Sequence, residues 1–242
     1  MNNLSVVIPA YNEEKRIIKT LEKVTAFLAD QLFRSEIIIV DDFSSDKTKE
    51  VVRNFRNNSK KINITIVEHS VNQGKGASVK TGMLKAKNEF ILFMDADSST
   101  DISEITKLMP YINKYPIVIG SRYLEKGSVK IKQPFIRKLI SRAGNLLIKV
   151  SLGLNFEDTQ CGFKIFSHDI AQKIFNLVTV ERWGFDIEIL TIAKNLKIPV
   201  KEVAITWYDD PNSRLRAGRA MTETLKELFH IIKNLNKGKY DL

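Results

Sequence analysis

Five short runs rich in Val, Ile, Leu and Phe, at 4–9, 36–40, 62–68, 90–94 and 117–120, constrain this chain more than any other feature. They show little inside–outside alternation, so strands built from them must be buried on both faces. Between them, 17–27, 47–56, 76–86 and 102–111 have apolar residues at helical spacing. The small polar residues Ser44, Ser45 and Asp46 can cap the helix that starts at 47. Strands alternating with helices predict an α/β fold, a mainly parallel sheet with helices on both faces. No repeat, low-complexity tract or Pro/Gly-rich linker divides the 242 residues, so one domain is expected over 1–242.

In an open parallel sheet the ligand crevice lies at the carboxyl ends of the strands. That rule brings Tyr11, Glu13, Asp42, Asp95 and Asp97 near one another. Asp95-Ala96-Asp97 follows the run Phe-Ile-Leu-Phe-Met. Two carboxylates separated by one small residue on a turn can address one hard cation. Mg²⁺ or Mn²⁺ there would bridge the phosphates of a nucleotide diphosphate and neutralise charge on a leaving group. In Pro9-Ala10-Tyr11-Asn12-Glu13-Glu14, a helix N-terminus accounts for the two glutamates. It does not account for Tyr11, an aromatic that can flank a base. In Asp41-Asp42 one carboxylate can stabilise the next helix, or accept hydrogen bonds from a base or ribose hydroxyl. Asn72-Gln73-Gly74-Lys75-Gly76 resembles a phosphate-cradling loop before a helix, although its glycines also suit a plain turn.

Net charge is +10, with 38 basic against 28 acidic side chains. That favours an anionic partner such as a nucleotide, a phospholipid surface or a nucleic acid, although a lysine-rich composition gives the same value without any binding role. No aromatic-interleaved basic stretch supports nucleic acid. A Walker A loop is absent, and so is Gly-x-Gly-x-x-Gly after the first strand, which disfavours an NTPase and a dehydrogenase. A single cysteine, Cys161, excludes an internal disulfide and fits a reducing compartment. His69, His168, His230 and Cys161 are scattered and suggest no transition-metal cluster. The start Met1-Asn2-Asn3-Leu4 suggests no signal peptide, and no apolar run reaches the ~20 residues of a membrane span. A cytoplasmic chain is expected, peripheral on the cytoplasmic membrane face if it meets a membrane.

The ordered set Ser5–Glu13, Val40-Asp41-Asp42, 72–76 and Asp95-Ala96-Asp97 resembles family 2 glycosyltransferases of the GT-A fold, whose sheet is Rossmann-like. Asp158-Thr159-Gln160-Cys161-Gly162-Phe163-Lys164 and Glu181-Arg182-Trp183-Gly184-Phe185-Asp186 resemble the dolichyl-phosphate β-glucosyltransferase branch. The resemblance implies an inverting transfer from a nucleotide-diphosphate sugar, glucose from UDP-glucose, onto a polyprenyl phosphate. It implies that Pro9, Tyr11, Glu13, Asp42, Ala96 and Lys75 bind the donor, with Asp95 and Asp97 on the metal and diphosphate. Gln160, Trp183, Phe185 and Asp186 would shape the sugar or acceptor pocket. The donor half would then be 1–120 and the acceptor half 121–222, followed by an amphipathic helix over 223–242.

Arg137, Ser141 and Asn145 recur every four residues and share one face of an expected helix with an apolar stripe. Arg122 and Arg137 are candidates to clamp an acceptor phosphate, with Ser141 adding a hydrogen bond. No carboxylate lies between Lys126 and Val150, so this basic segment can lie in a membrane interface or pack on the sheet with a solvated face. Leu225, Leu228, Phe229, Ile232 and Leu235 make the tail a second candidate surface element. A phosphate acceptor is already ionised at neutral pH and needs no strong base. If the acceptor were instead a saccharide or protein hydroxyl, Asp158 is the candidate base.

Overall fold

The computed structural model describes residues 3–59, 62–125, 127–129, 144–145, 147–208 and 217–241, with backbone alone for 217–221. β1 (Asn3–Ala10), β2 (Arg34–Asp41), β3 (Asn63–Glu68), β4 (Phe90–Met94) and β5 (Ile117–Ser121) match the five apolar runs. Between them lie α1 (Ile17–Ala29), α2 (Thr48–Asn58) and α3 (Lys75–Lys85). The segment 102–111 is a short α4 (Ile105–Leu108) between two 3-10 turns. Pro110, which has no N–H to continue an α-helical ladder, sits in the second of them. Beyond β5 the chain adds β6 (Phe163–Ser167), α5 (His168–Leu177), α6 (Phe185–Asn195), β7 (Val200–Ala204) and α7 (Ala217–Asn236).

The seven strands form one sheet in the order β3-β2-β1-β4-β6-β5-β7. All are parallel except β6, which runs antiparallel to both β4 and β5. This reversed strand matters for the site. Its amino end, at Phe163, lies beside Met94 at the carboxyl end of β4. The loop that precedes β6 therefore arrives at the same edge as the loops that follow β1, β2 and β4.

Each face of the sheet has its own core. Val7, Ile38, Val40, Ile91 and Phe93 point to the side covered by α3, α5 and α6. Val6, Ile8, Ile37, Ile39 and Leu92 point to the side covered by α1 and the 102–112 segment. Successive strand residues face opposite sides, so burial on both explains why β1 is apolar without interruption from Val6 to Ala10. On α1, Ile17, Leu21, Val24 and Leu28 form the inward stripe. Burying each such side chain stabilises the fold by roughly 1.5–3 kcal/mol. On α7, Leu228 and Ile231 are buried and Ile232 and Leu235 pack on the same core. The apolar stripe expected to make this tail a surface element is turned inward, and of its members Phe229, 73% exposed, faces out. No helix among the described residues is long and apolar enough to cross a membrane.

Candidate active site

The crevice edge is built by strained, cross-linked loops. Asn12, Phe43 and Ser98 have φ values of 56°, 62° and 57°, a left-handed conformation rare for residues other than glycine. They follow β1, β2 and β4, so the strain is concentrated where ligands bind in such sheets. The first two loops are tied together: Asn12 N donates to Ser44 Oγ at 2.9 Å, Ser45 N to Asn12 Oδ1 at 2.8 Å and Glu13 N to Thr48 Oγ1 at 2.7 Å. Pro9 is buried within β1, and the Glu13 carboxylate takes both Nε and Nη2 of Arg16 at 2.7 and 2.6 Å. Tyr11 stands 49% exposed at the crevice edge. Phe43 is 50% exposed beyond the adjacent strand, with Lys49 Nζ 5.6 Å from its ring centre. Sequence reasoning missed Phe43, although an aromatic just after a strand-end acid pair is a usable signal.

Asp42 is buried and its two carboxylate oxygens are fully occupied. Oδ1 is hydrogen-bonded to His69 Nδ1 at 2.9 Å and accepts from Gln73 N at 2.8 Å. Oδ2 accepts from Asn72 Nδ2 and Gly74 N, each at 2.8 Å. It therefore organises the 72–74 loop. This corrects the phosphate-cradle reading of that loop. Gln73 N and Gly74 N end on Asp42, while Gly76 N donates to Arg182 O at 3.2 Å and Ala77 N to Glu181 O at 3.0 Å. These four N–H groups at the start of α3 are consumed inside the protein and cannot hold a phosphate.

Lys75 alone reaches into the crevice, from the first residue of α3. Its Nζ lies 2.6 Å from Asp95 Oδ1 and sits near the rings of Phe93, Trp183 and Phe185 at 5.5, 5.9 and 6.0 Å. Burial opposes its charge, but Asp95, Asp186 and Asp97 outweigh that and hold its pKa above the ordinary lysine value. Asp97 accepts from Ser99 N at 2.9 Å. Burial and then the neighbouring Asp95 charge push its carboxyl above the ordinary range, the condition that an added cation would relieve. Ala96 is buried between them, its carbonyl accepting from Thr20 Oγ1 at 2.6 Å. Gly162 in the loop before β6 accepts from Asp95 N at 3.2 Å, and a Cβ at Gly162 would overlap the Asp95 carboxylate.

Asp186 opens α6 and pairs with Lys164 of β6, which also donates to Cys161 O at 2.6 Å. Burial raises the Asp186 carboxyl more than Lys164 and Lys75 lower it. Gln160 lies at the same edge, its Nε2 at 3.5 Å from Trp183 O, the limit of a hydrogen bond. Burial pushes the Cys161 thiol up to about 12, so it is packing and not a nucleophile at neutral pH.

Asp158 is 1% exposed and takes Arg122 through Nε at 2.7 Å, Nη2 at 2.8 Å and the backbone N at 3.0 Å. Burial alone would raise its pKa, but Arg122 outweighs burial and holds the carboxyl below the ordinary range. The free base expected at Asp158 is instead one half of an ion pair. Arg122 in turn stacks between Tyr123 and Trp207, 5.3 and 5.5 Å from their ring centres, two aromatics the sequence did not single out. Arg137 and Ser141, the other members of the expected acceptor clamp, lie outside the described residues. Asn145 donates to Glu157 O at 3.0 Å.

A parallel sheet with one reversed strand, and an Asp-x-Asp turn at the centre of its crevice, define a GT-A glycosyltransferase. The chain belongs to the family 2 glycosyltransferases, whose model, Glycosyl transferase family 2, matches residues 5–175. Among its relatives are dolichyl-phosphate β-glucosyltransferases. That of Trichomonas vaginalis is 38% identical, over 88% of this chain and 68% of its own length. The human and Saccharomyces cerevisiae enzymes are 35% and 33% identical, each over 94% of this chain and over 74% and 73% of their own. Among solved structures, glucosyl-3-phosphoglycerate synthase of Mycobacterium tuberculosis with Mn²⁺, UDP-glucose and glycerol 3-phosphate superposes at a TM-score of 0.71. Its identity is 16%, covering 96% of this chain and 80% of that one. Staphylococcus aureus TarS superposes at 0.58 with 20% identity, covering 98% of this chain and 74% of that one.

Proposed function

We propose that this glycosyltransferase moves glucose from UDP-glucose onto a polyprenyl phosphate of the dolichyl type, with inversion, at a membrane surface. One observation carries the choice of acceptor. The other carboxylates at this edge of the sheet are already engaged: Asp158 by Arg122, Asp186 by Lys164 and Asp95 by Lys75. None of the three is left free to take a proton from a sugar or protein hydroxyl. A phosphate acceptor brings its own negative charge and needs no such base. The names of the relatives support the same acceptor and sugar.

The Asp95 and Asp97 donor set suits Mg²⁺ or Mn²⁺, because two carboxylates leave coordination sites for phosphate and water oxygens. When bound, such an ion neutralises charge on the departing diphosphate. Tyr11 flanks the base, Lys75 faces the diphosphate-bearing side of the pocket and Trp183 walls the sugar, whereas Phe185, expected in that wall, is fully buried and packs behind it on Phe93. The acceptor phosphate oxygen attacks the anomeric carbon as the bond to the diphosphate oxygen breaks, and the electron pair leaves with UDP. A single displacement of this kind inverts the anomeric centre. Positioning and electrostatics supply the rate.

The test is UDP release from UDP-glucose with Mg²⁺ or Mn²⁺ and polyprenyl phosphate. Release should depend on both, and Asp97→Asn should lower it at least ~100-fold, a typical cost of losing one charge-stabilising group, with the domain still folded. Stimulation by saccharides and not by polyprenyl phosphate would overturn the acceptor assignment. Full activity in Asp97→Asn would overturn the metal assignment.

A further inference from the structure

The turn Arg182-Trp183-Gly184 carries Trp183 to the pocket, yet what fixes it comes from the far end of the chain. Gly184 N donates to Glu227 Oε2 on α7 at 2.7 Å, and the nearby N–H groups of Arg182 and Trp183 favour the charge of the same carboxylate. Gly184 is the N-cap of α6 and has no side-chain cap of its own. Glu227 supplies that cap from another helix, an anion at the positive end of α6. On its opposite side the turn grips α3: Arg182 O and Glu181 O accept from Gly76 N and Ala77 N at 3.2 and 3.0 Å. Lys75 precedes Gly76 directly. The turn is thus held between α7 and α3, with Trp183 and Lys75 5.9 Å apart at its inner edge.

A second set of contacts joins the strap that contains this turn, residues 178–184 between α5 and α6, to α7. Thr179 Oγ1 is bonded to His230 Nε2 at 3.0 Å and accepts from Asn234 Nδ2 at 3.1 Å. The Thr179 and Val180 N–H groups donate to the buried Glu188 carboxylate at 2.9 and 2.7 Å, and Tyr240 OH donates to it at 2.7 Å. This end is anchored to α7 by several groups, whereas the pocket end at 182–184 is anchored to α7 by Glu227.

We propose that Glu227 is a positioning residue for the donor: from α7 it fixes the Arg182–Gly184 turn, and through it the Trp183 ring over Lys75, so that the sugar half of a nucleotide sugar is held. Removing the carboxylate leaves Gly184 N without its acceptor. Water can reach a partly exposed site, so the fold survives while the turn relaxes. The inference rests on the donor reading above for its ligand, but not for the hold of Glu227 on the turn.

Calorimetric titration of wild type, Glu227→Gln and Glu227→Ala with UDP and with UDP-glucose, each with Mn²⁺, separates the two. UDP should bind all three proteins alike. The extra affinity of UDP-glucose over UDP should fall about tenfold in Glu227→Ala, the scale on which a displaced pocket wall acts. Glu227→Gln, which keeps one acceptor oxygen, should recover part of it. A wild-type ratio in Glu227→Ala overturns the proposal. If wild type itself does not prefer UDP-glucose, the donor reading has failed, and tryptophan fluorescence of the ligand-free protein then decides. The chain has two tryptophans, so Trp207→Phe leaves Trp183 as the sole reporter. In that background Glu227→Ala should shift the emission to longer wavelength as the ring gains water, and an unchanged spectrum overturns the proposal.

Discussion

Asp158 meets two opposing demands, and their balance is measurable. It is almost fully buried, which penalises its charge, and it faces a bidentate guanidinium, which favours that charge. The guanidinium wins, holding the carboxyl below its ordinary range. Breaking a buried pair by removing one partner costs about 3–5 kcal/mol. Asp158→Asn should therefore destabilise the domain by about that much near neutral pH, measured by denaturant unfolding. The sign with pH follows from the lowered folded pKa. The stabilisation is complete above the unfolded value of about 3.9 and is lost as pH falls through the folded one. The gap between wild type and variant should hold steady through the neutral range and close in acid. A variant as stable as wild type near neutrality would show that the pair contributes nothing net. Residues of this kind were only half legible in the sequence. Asp95 and Asp97 announce themselves by following a buried strand, but nothing in Asp158 says that Arg122, thirty-six positions away, will claim both its oxygens.

Among the elements, the five apolar runs and the helices between them were readable because burial on both faces leaves so plain a pattern. The reversed β6 was not. Phe-Lys-Ile-Phe-Ser has a strand composition, but a strand does not encode its direction, which is set by its neighbours. Only that reversal brings the 158–162 loop, and Gly162 beneath Asp95, to the crevice. The start of α3 was misread for a related reason. Glycines before a helix look alike whether they approach a phosphate or another strand of backbone. Here Gly76 approaches the strap, where an added Cβ would stand 2.6 Å from Val180 O and 2.8 Å from Phe185 Cβ. In an unobstructed helix Gly→Ala gains up to about 1 kcal/mol, whereas forcing backbone apart costs about 1–3 kcal/mol. Gly76→Ala should therefore lower the melting temperature and weaken donor binding. A raised melting temperature would mean that the strap is not packed on α3 as described.

At the scale of the whole molecule, the net charge of +10 needs a location before it means anything. One part of it is on α7. The inward face of that helix is spent on the core and on Glu227, while its outward face carries Lys226, Phe229 and Lys233, with Lys237 just beyond, all exposed. An apolar ring among lysines suits an anionic lipid surface better than a hydrocarbon interior. Each lysine near such a surface contributes about 1 kcal/mol, and burying the Phe229 ring roughly 1.5–3 kcal/mol. The sum predicts a reversible attachment that weakens as salt rises. The protein should co-sediment with vesicles containing phosphatidylserine, be released as salt rises, and ignore vesicles of phosphatidylcholine alone. Phe229→Ala combined with Lys226→Glu and Lys233→Glu should abolish attachment while UDP-glucose binding in solution is unchanged, because these side chains point away from the turn that Glu227 holds. Attachment that survives this triple change would move the lipid-facing surface off α7. Equal attachment to both kinds of vesicle would remove charge from its cause.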